Sequence, residues 1–260
     1  MTDKRTDNCS YKPDYGIIDD KMRGRMVPAW LDSGSTNRMY DGGAVDTVLE
    51  ELKAGIRRFR TEVYSEHEDF YLKAASEPQQ PHALIVACAD SRIDVETITQ
   101  SMPGDVFVTR NIGNMVPAYG EMLGGVSAVI EYAVMALKVQ HVVVCGHTDC
   151  GAMKGLLHPK AVEKMPTVQR WLRNADAALS VTNSLAEHDE KPSELMRRVT
   201  EENVLLQLQH LRTHPSVAGA MAREELTISG WVYDIGRGEV RISTDGGRVF
   251  EPVTVNGETA

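Results

Sequence analysis

The chain has 260 residues, of which 42% are hydrophobic and 25% charged, and its formal net charge is -9. This is the composition of an ordinary globular protein, and it excludes the collagen, disulfide-scaffold and disordered classes. An excess of carboxylates repels phosphate backbones and anionic lipids over long range, so the balance argues against nucleic acid and membrane surfaces as partners.

The first 43 residues are rich in Gly, Asp, Ser and Asn and show little hydrophobic periodicity, which predicts an irregular N-terminal arm. No apolar segment of the signal-peptide type stands near its start. The longest apolar stretch, residues 122–137, is interrupted by Glu131 and falls short of the roughly 20 residues that span a bilayer. We therefore expect a cytoplasmic protein, with residues 44–260 as a single α/β domain. Cys9, in the arm, has no assigned role.

From Ala44 onward, apolar residues recur at helical spacing and predict one or two amphipathic helices before Pro78. Four short apolar runs follow, each typical of a buried strand, at residues 83–89, 105–111, 141–146 and 226–234, and a last run covers residues 238–244. Helical patterns fill the interval between the second and third runs, over residues 124–139, and the interval between the third and fourth. The last run follows across Gly236 and Gly238, a turn short enough only for an antiparallel hairpin.

This order of elements predicts an α/β fold. Continuous β-branched strands that alternate with helices are typical of a parallel sheet covered on both faces. We expect a mostly parallel central sheet, with about four parallel strands and one antiparallel edge strand, flanked by helices and preceded by an N-terminal helical arm. In such sheets, ligands bind at the carboxyl ends of the strands.

Two separate segments bring metal-binding residue types to that edge. Cys88 ends the first strand run, and His147 and Cys150 follow the third. Thiolate and imidazole are ligands that Zn²⁺ prefers, and three protein ligands leave the fourth tetrahedral position for water, as in catalytic zinc sites. A lone Cys at a strand end is more often a small core residue, and Cys145 is interpreted that way. The conjunction of the two segments favours a metal site.

Asp90 and Arg92 follow the first cysteine closely. Residues i and i+2 of an extended chain point the same way, so Asp90 is expected to face the space beside Cys88. There its carboxylate can accept a hydrogen bond from metal-activated water, or it can bind the metal itself and close the site. Arg92 selects between these states by holding Asp90 in a bidentate pair. The alternative is a surface ion pair of little consequence.

The pattern Cys-x-Asp-x-Arg after a strand, with His-x-x-Cys about sixty residues later, resembles the β-class carbonic anhydrases. The segments PGDVFVTRNIGNMVP (103–117) and IEYAVMALKV (130–139) resemble this family too. The resemblance implies a carbonate hydro-lyase that hydrates carbon dioxide reversibly to bicarbonate and a proton. It implies Zn²⁺ as cofactor, attack by a zinc-activated hydroxide, and a homodimer or dimer-based higher oligomer with pockets at subunit interfaces.

The resemblance also implies roles for individual residues, and it favours the plant-like, open-site subtype. The implied zinc ligands are Cys88, His147 and Cys150, and the implied catalytic dyad is Asp90 and Arg92. The residues implied to bind substrate are Gln79 (with Gln80 as its adjacent alternative), Phe107, Tyr132 and the backbone amide of Gly151.

Three alternatives stay open at this point. The same fold and zinc site could hydrolyse carbonyl sulfide or carbon disulfide, which are linear triatomic molecules like carbon dioxide. A non-catalytic bicarbonate-sensing or assembly module is a second alternative, which the intact Asp90 and Arg92 argue against. A redox protein that uses Cys88 and Cys150 is the third, and zinc content against free-thiol titration would separate it.

Overall fold

The computed structural model describes residues 45–121, 124–244 and 246–254. The predicted arm of residues 1–43, with Cys9, lies outside the described residues. The chain divides into two compact units between Lys73 and Ala74.

The described residues of the first unit are helical. Helix α1 spans Val45–Arg58, a π-helical segment spans Phe59–Tyr64, and α2 begins in this unit and spans Glu68–Ser76. The prediction of one or two amphipathic helices is confirmed here. Several apolar side chains of α1 are at least half exposed, namely Val48, Leu49, Leu52 and Ile56. This helix therefore carries an apolar face towards solvent.

The second unit contains a six-stranded sheet in the order β2-β1-β3-β4-β5-β6. The first four strands are parallel, and β5 and β6 are antiparallel at one edge. The strands are β1 Ala83–Cys88, β2 Val106–Asn111, β3 His141–His147, β4 Thr227–Asp234, β5 Glu239–Thr244 and β6 Glu251–Pro252. The predicted α/β class, the four parallel strands and the antiparallel β5 are confirmed. The two-residue β6 was not predicted.

Helices cover the sheet. They are α3 Val95–Thr99, α4 Gly125–Met135, α5 Gly151–Leu157, α6 Pro166–Leu172, α7 Asp176–Leu185, α8 Pro192–Thr213 and α9 Pro215–Ala222, with 3₁₀ turns at Pro159–Val162 and Arg173–Ala175. Within the described ranges, no helix is both long enough and apolar enough to cross a bilayer.

The strand pattern explains the core. Every residue of β1 is buried, and because side chains alternate, Leu84 and Val86 pack into a cluster with α8 residues such as Val204. Cys145 packs into the cluster on the other face, which confirms its interpretation as a core residue. Because β1, β2 and β3 are parallel, their carboxyl ends meet at one edge of the sheet. That edge carries the residues described next.

Candidate active site

Three metal-binding side chains converge at the carboxyl edge. Cys88 is the last residue of β1, His147 is the last of β3, and Cys150 stands immediately before α5. Their ligand atoms all lie within 4.8 Å of one another, and the two Sγ atoms are 3.9 Å apart. All three side chains are buried. The predicted meeting of the two segments is confirmed.

The turn between β3 and α5 gives His147 and Cys150 their common direction. Thr148 donates its backbone N–H to the carbonyl of Tyr233 on β4 (2.9 Å), and its Oγ1 accepts from the backbone N–H of Ile235 (3.1 Å). Asp149 then adopts a left-handed conformation with φ of 61°. Asp is among the few residues other than Gly that tolerate this region, so the chain can reverse there.

The His147 ring shows that this cluster fits a metal ion. Its Nδ1 lies 2.8 Å from the carbonyl oxygen of Thr148, so Nδ1 carries the proton and donates it. The tautomer leaves a lone pair on Nε2, which is buried and has no hydrogen-bond partner among the described residues. Leaving a buried acceptor unpaired costs about 1–3 kcal/mol. A cation bound between the imidazole and the two thiols would remove that cost.

The two thiols point to the same conclusion. The hydrogen bond from Cys150 lowers the pKa of Cys88 to about 4, against the opposing effect of burial. The contact with Cys88, together with burial, raises the pKa of Cys150. The first of the two thiols therefore loses its proton easily, whereas the second must lose its proton beside a thiolate that is already negatively charged. A divalent cation offsets both thiolate charges, because metal binding favours deprotonated ligands.

Asp90 and Arg92 lie beside the cluster and form a bidentate pair. Arg92 donates from Nε to Asp90 Oδ1 (2.9 Å) and from Nη2 to Oδ2 (2.8 Å), and its backbone N–H also donates to Oδ1 (3.0 Å). These bonds, the side-chain ones first, hold the pKa of Asp90 at about 2. Asp90 Oδ2 is 3.9 Å from His147 Nε2, so the carboxylate faces the metal-binding atoms.

Arg92 also binds a second carboxylate. Its Nη1 donates to Asp149 Oδ2 (2.9 Å), and Asp149 Oδ1 forms an ion pair with Lys154 of α5. The guanidinium thus lies between Asp90 and Asp149. The turn that presents two of the metal-binding residues also presents the carboxylate that contacts Arg92.

The substrate-binding residues implied by the resemblance are not all at this cluster. Gly151 begins α5 next to Cys150. Phe107 pairs in register with Leu84, four residues before Cys88, which places it about 13 Å along the strand from the cluster at roughly 3.3 Å per residue. Its ring packs against Tyr132 of α4, with centroids 6.1 Å apart. Gln79 lies in the exposed segment that leads to β1.

Comparisons with known proteins give the family. The family model described as carbonic anhydrase matches residues 83–240, which is more than half of the chain. The chain belongs to the carbonic anhydrase family. The matched range includes the three converging residues together with Asp90 and Arg92.

Curated relatives are enzymes of the same name. A carbonic anhydrase of Pseudomonas aeruginosa is 43% identical over 192 residues, which are 74% of this chain and 86% of the relative. A carbonic anhydrase of Synechococcus elongatus is 42% identical over 80% of this chain and 78% of its own. Carbonic anhydrase 1 of Escherichia coli O157:H7 is 42% identical over 80% of this chain and 94% of its own.

Solved structures place this carbonic anhydrase in the β class. The β-carbonic anhydrase CcaA aligns with a TM-score of 0.76 and 37% identity, covering 81% of this chain and 94% of CcaA. One of two tetrameric β-carbonic anhydrases of Sordaria macrospora aligns with a TM-score of 0.64 and 29% identity, covering 80% of this chain and all of that one. The β class implied by the sequence resemblance is confirmed.

Sequence reasoning about this carbonic anhydrase did not identify three side chains that contact the site. Asp149 and Lys154 were not singled out, although Asp149 stands between His147 and Cys150. Arg110 of β2 was also not singled out. It donates from Nε to the carbonyl of Cys88 (3.0 Å) and from Nη2 to the carbonyl of Asp90 (2.6 Å). In the sequence, Asp149 is a charge between two ligands and Arg110 is a charge near a strand end, whereas Lys154 carries no such signal.

Proposed function

We propose that the enzyme binds one zinc ion per chain and hydrates carbon dioxide reversibly to bicarbonate and a proton. The observation that carries the proposal is the Cys88, His147 and Cys150 cluster with an unpaired buried nitrogen, bordered by the Asp90–Arg92 pair. Two thiolates and one imidazole are a donor set that Zn²⁺ prefers, and three protein ligands are typical of its catalytic sites.

The residues around the ligands define the proposed mechanism. A zinc ion held there would lower the pKa of a bound water and so supply a nucleophile near neutral pH. Asp90 stays ionised far below that pH, because its pKa is about 2. It can therefore accept a hydrogen bond from the attacking water and direct a lone pair of that water towards carbon dioxide. Arg92 holds the carboxylate in this orientation, and the backbone amide of Gly151 stabilises the bound product.

We propose that Phe107 and Tyr132 form the apolar wall of a substrate pocket in a neighbouring subunit. Phe107 lies too far along β2 to reach the cluster of its own chain, and the Tyr132 ring of α4 packs against Phe107. The Tyr132 side chain is 51% exposed, and β2 is an edge strand of the sheet. A copy related by a two-fold axis across this edge could bring the two rings to the other chain's carboxyl edge. Gln79 is proposed to contact substrate in the same pocket.

Self-association of this chain has two supports. The apolar face of α1 is exposed in the single chain, and burying it would stabilise a dimer or a dimer-based oligomer. The similar Sordaria macrospora enzymes are tetrameric. The proposed location is the cytoplasm, because cysteines stay reduced in that compartment and Cys88, Cys145 and Cys150 are free thiols. The proposed partners are carbon dioxide, bicarbonate and further copies of the chain, without nucleic acid or membrane.

A stopped-flow assay with a pH indicator, on protein of measured zinc content, tests the function. We expect one zinc per chain and rapid hydration in the wild type, and loss of both in Cys88→Ser. Asp90→Asn should keep its zinc and lose hydration activity about 100-fold, the lower end of what a positioned acid–base group contributes. The matched control is Asp176→Asn, on α7, whose exposed carboxylate lies outside the site.

Each result has a defined meaning. Zinc-loaded wild type that does not hydrate carbon dioxide would contradict the function, and a parallel assay with carbonyl sulfide would then test the alternative substrate. Full activity in Asp90→Asn would contradict the role of Asp90 while leaving the reaction in place.

A further inference from the structure

The guanidinium of Arg92 binds two carboxylates, each at a different edge of the group. Nε and Nη2 face Asp90, and Nη1 faces Asp149, while the carbonyl of Asp149 lies 3.4 Å from Nη2. Because the guanidinium is planar and rigid, binding at both edges fixes its plane and its position. A single carboxylate, even when bound through two hydrogen bonds, would leave Arg92 and its partner free to move together.

Asp149 is itself held in place. Its left-handed backbone conformation aims the side chain back at Arg92, and Lys154 binds its other oxygen. The Asp149 carboxylate therefore contacts two cationic side chains at once, Arg92 through one oxygen and Lys154 through the other. Arg92, Lys154, Asp90 and Asp149 together form a charge-balanced group.

Asp90 is the member of this group that faces the metal-binding atoms, with its Oδ2 3.9 Å from His147 Nε2. An anionic oxygen at that distance can compete with water for the open metal position whenever Arg92 releases it. The equilibrium between these two states depends on how firmly Arg92 is held.

We propose that Asp149, supported by Lys154, is a positioning residue that anchors Arg92 and so keeps Asp90 away from the open metal position. This inference rests on the proposed function of the site. It assigns to the His147–Cys150 turn a second task besides presenting ligands, because the same turn controls whether the fourth position is available.

The simple variant Asp149→Asn would confuse two effects. It weakens the contact that anchors Arg92. It also removes a negative charge, and the more positive site attracts anions and binds the Asp90 carboxylate more firmly to Arg92. The double variant Asp149→Asn/Lys154→Met removes one charge of each sign and keeps the net charge. Asn also tolerates the left-handed conformation, so the turn is preserved. The matched control is Arg223→Met/Glu225→Gln, a charge-balanced change at an exposed ion pair outside the site.

The measurement is the binding of azide to the cobalt-substituted protein, followed by visible absorption. Azide takes the open metal position, so its affinity reports how often Asp90 occupies that position, without any turnover. We expect about two- to fivefold weaker azide binding in the double variant, the range that one partly exposed ion pair can supply. The control variant should bind azide as the wild type does.

The Asp90→Asn background separates positioning from a general effect on the turn. If Asp149 and Lys154 act through Asp90, adding their substitutions to Asp90→Asn should leave azide affinity unchanged. Weaker binding that persists in this background, or unchanged binding in the double variant itself, would overturn the proposal. These outcomes are distinct from failure of the proposed function, which is read from carbon dioxide hydration by the wild-type zinc protein.

Discussion

The side chain of Arg110 holds the backbone that carries both a ligand and the neighbouring carboxylate. It reaches from β2 to the carbonyls of Cys88 and Asp90, the two residues on either side of Ala89. Cationic donors make hydrogen bonds about twice as strong as neutral ones. Arg110 therefore stiffens the segment just beyond the end of β1, together with the backbone hydrogen bond from Ala89 to Asn111 of β2.

Replacing Arg110 with Met should loosen this segment and speed the loss of metal. Each bond from a charged group contributes about 1.5–3 kcal/mol, part of which water restores at this exposed site, so we expect about tenfold faster transfer of zinc to a chelator. The release rate is measured with a coloured chelator in excess. Arg237→Met is the control, since the exposed Arg237 side chain pairs with Glu239 at 3.9 Å, outside the site. An unchanged release rate in Arg110→Met would contradict this role.

The residues that could be predicted share one property, which is that the local sequence pattern locates them. Cys88 and His147 end β-branched runs, and the carboxyl ends of parallel strands must meet. Arg110 and Asp149 act through contacts with residues 20 and 57 positions away. Nothing in local periodicity indicates the partner of a charged side chain, so their roles required the structure.

At the scale of elements, the site depends on how closely α8 packs against the sheet. A Cβ atom on Gly230 of β4 would lie 2.5 Å from Val204 Cγ1 and 3.1 Å from Leu208 Cδ1. A Cβ atom on Gly146, which precedes His147, would lie 2.7 Å from Val204 Cγ2. The two glycines therefore let the helix approach β3 and β4, one of them directly beside a ligand.

Gly230→Ala should force α8 away from the sheet. Overpacking of this kind typically costs about 1–3 kcal/mol, and we expect that loss in the free energy of unfolding, measured in urea at fixed zinc and protein concentration. Gly125→Ala is the control, because a Cβ atom there meets nothing within 4 Å and Ala favours the helix. A destabilisation in Gly230→Ala that Val204→Ala partly relieves would locate the strain at this contact. Equal stability of Gly230→Ala and wild type would contradict it.

Element boundaries were less predictable than the elements themselves. The helical pattern over residues 124–139 continues past the end of α4 at Met135. The helix ends earlier because Lys138 adopts a left-handed conformation (φ 55°) and the N–H of Val139 bonds back to the carbonyl of Ala133. This C-terminal motif usually involves Gly or Asn, so a Lys at this position does not predict it. Strand β6 is too short to show any alternation.

At the scale of the whole molecule, the proposed active site is larger than one chain. The resemblance implied that Phe107 and Tyr132 are pocket residues, but it did not show whether they line the pocket of their own chain or of a neighbouring subunit. The register of β1 with β2 sets Phe107 opposite Leu84 rather than Cys88, and this supports the proposal that the two rings serve a neighbouring chain. A single sequence does not show how two subunits are placed against each other, so this part of the proposal depends on assembly.

Subunit complementation tests whether the pocket is shared. Asp90→Asn and Tyr132→Ala chains should each assemble into oligomers of low activity. In a mixed dimer, one site would carry both defects and the other would carry neither. The intact site would take its Asp90 from the Tyr132→Ala chain and its Tyr132 from the Asp90→Asn chain. Unfolding and refolding an equal mixture with zinc should therefore restore about a quarter of the wild-type sites, as random two-fold pairing dictates.

The control for this mixing experiment is an equal mixture of Asp90→Asn with Cys88→Ser. Both substitutions lie on the metal side of the site, so every site in a mixed dimer keeps a defect and activity should stay low. Recovery that appears only in the first mixture would show that Tyr132 acts in the neighbouring subunit. If the first mixture recovers nothing although sedimentation shows mixed dimers, Tyr132 does not serve a neighbouring site, and the apolar wall must come from other residues near the carboxyl edge.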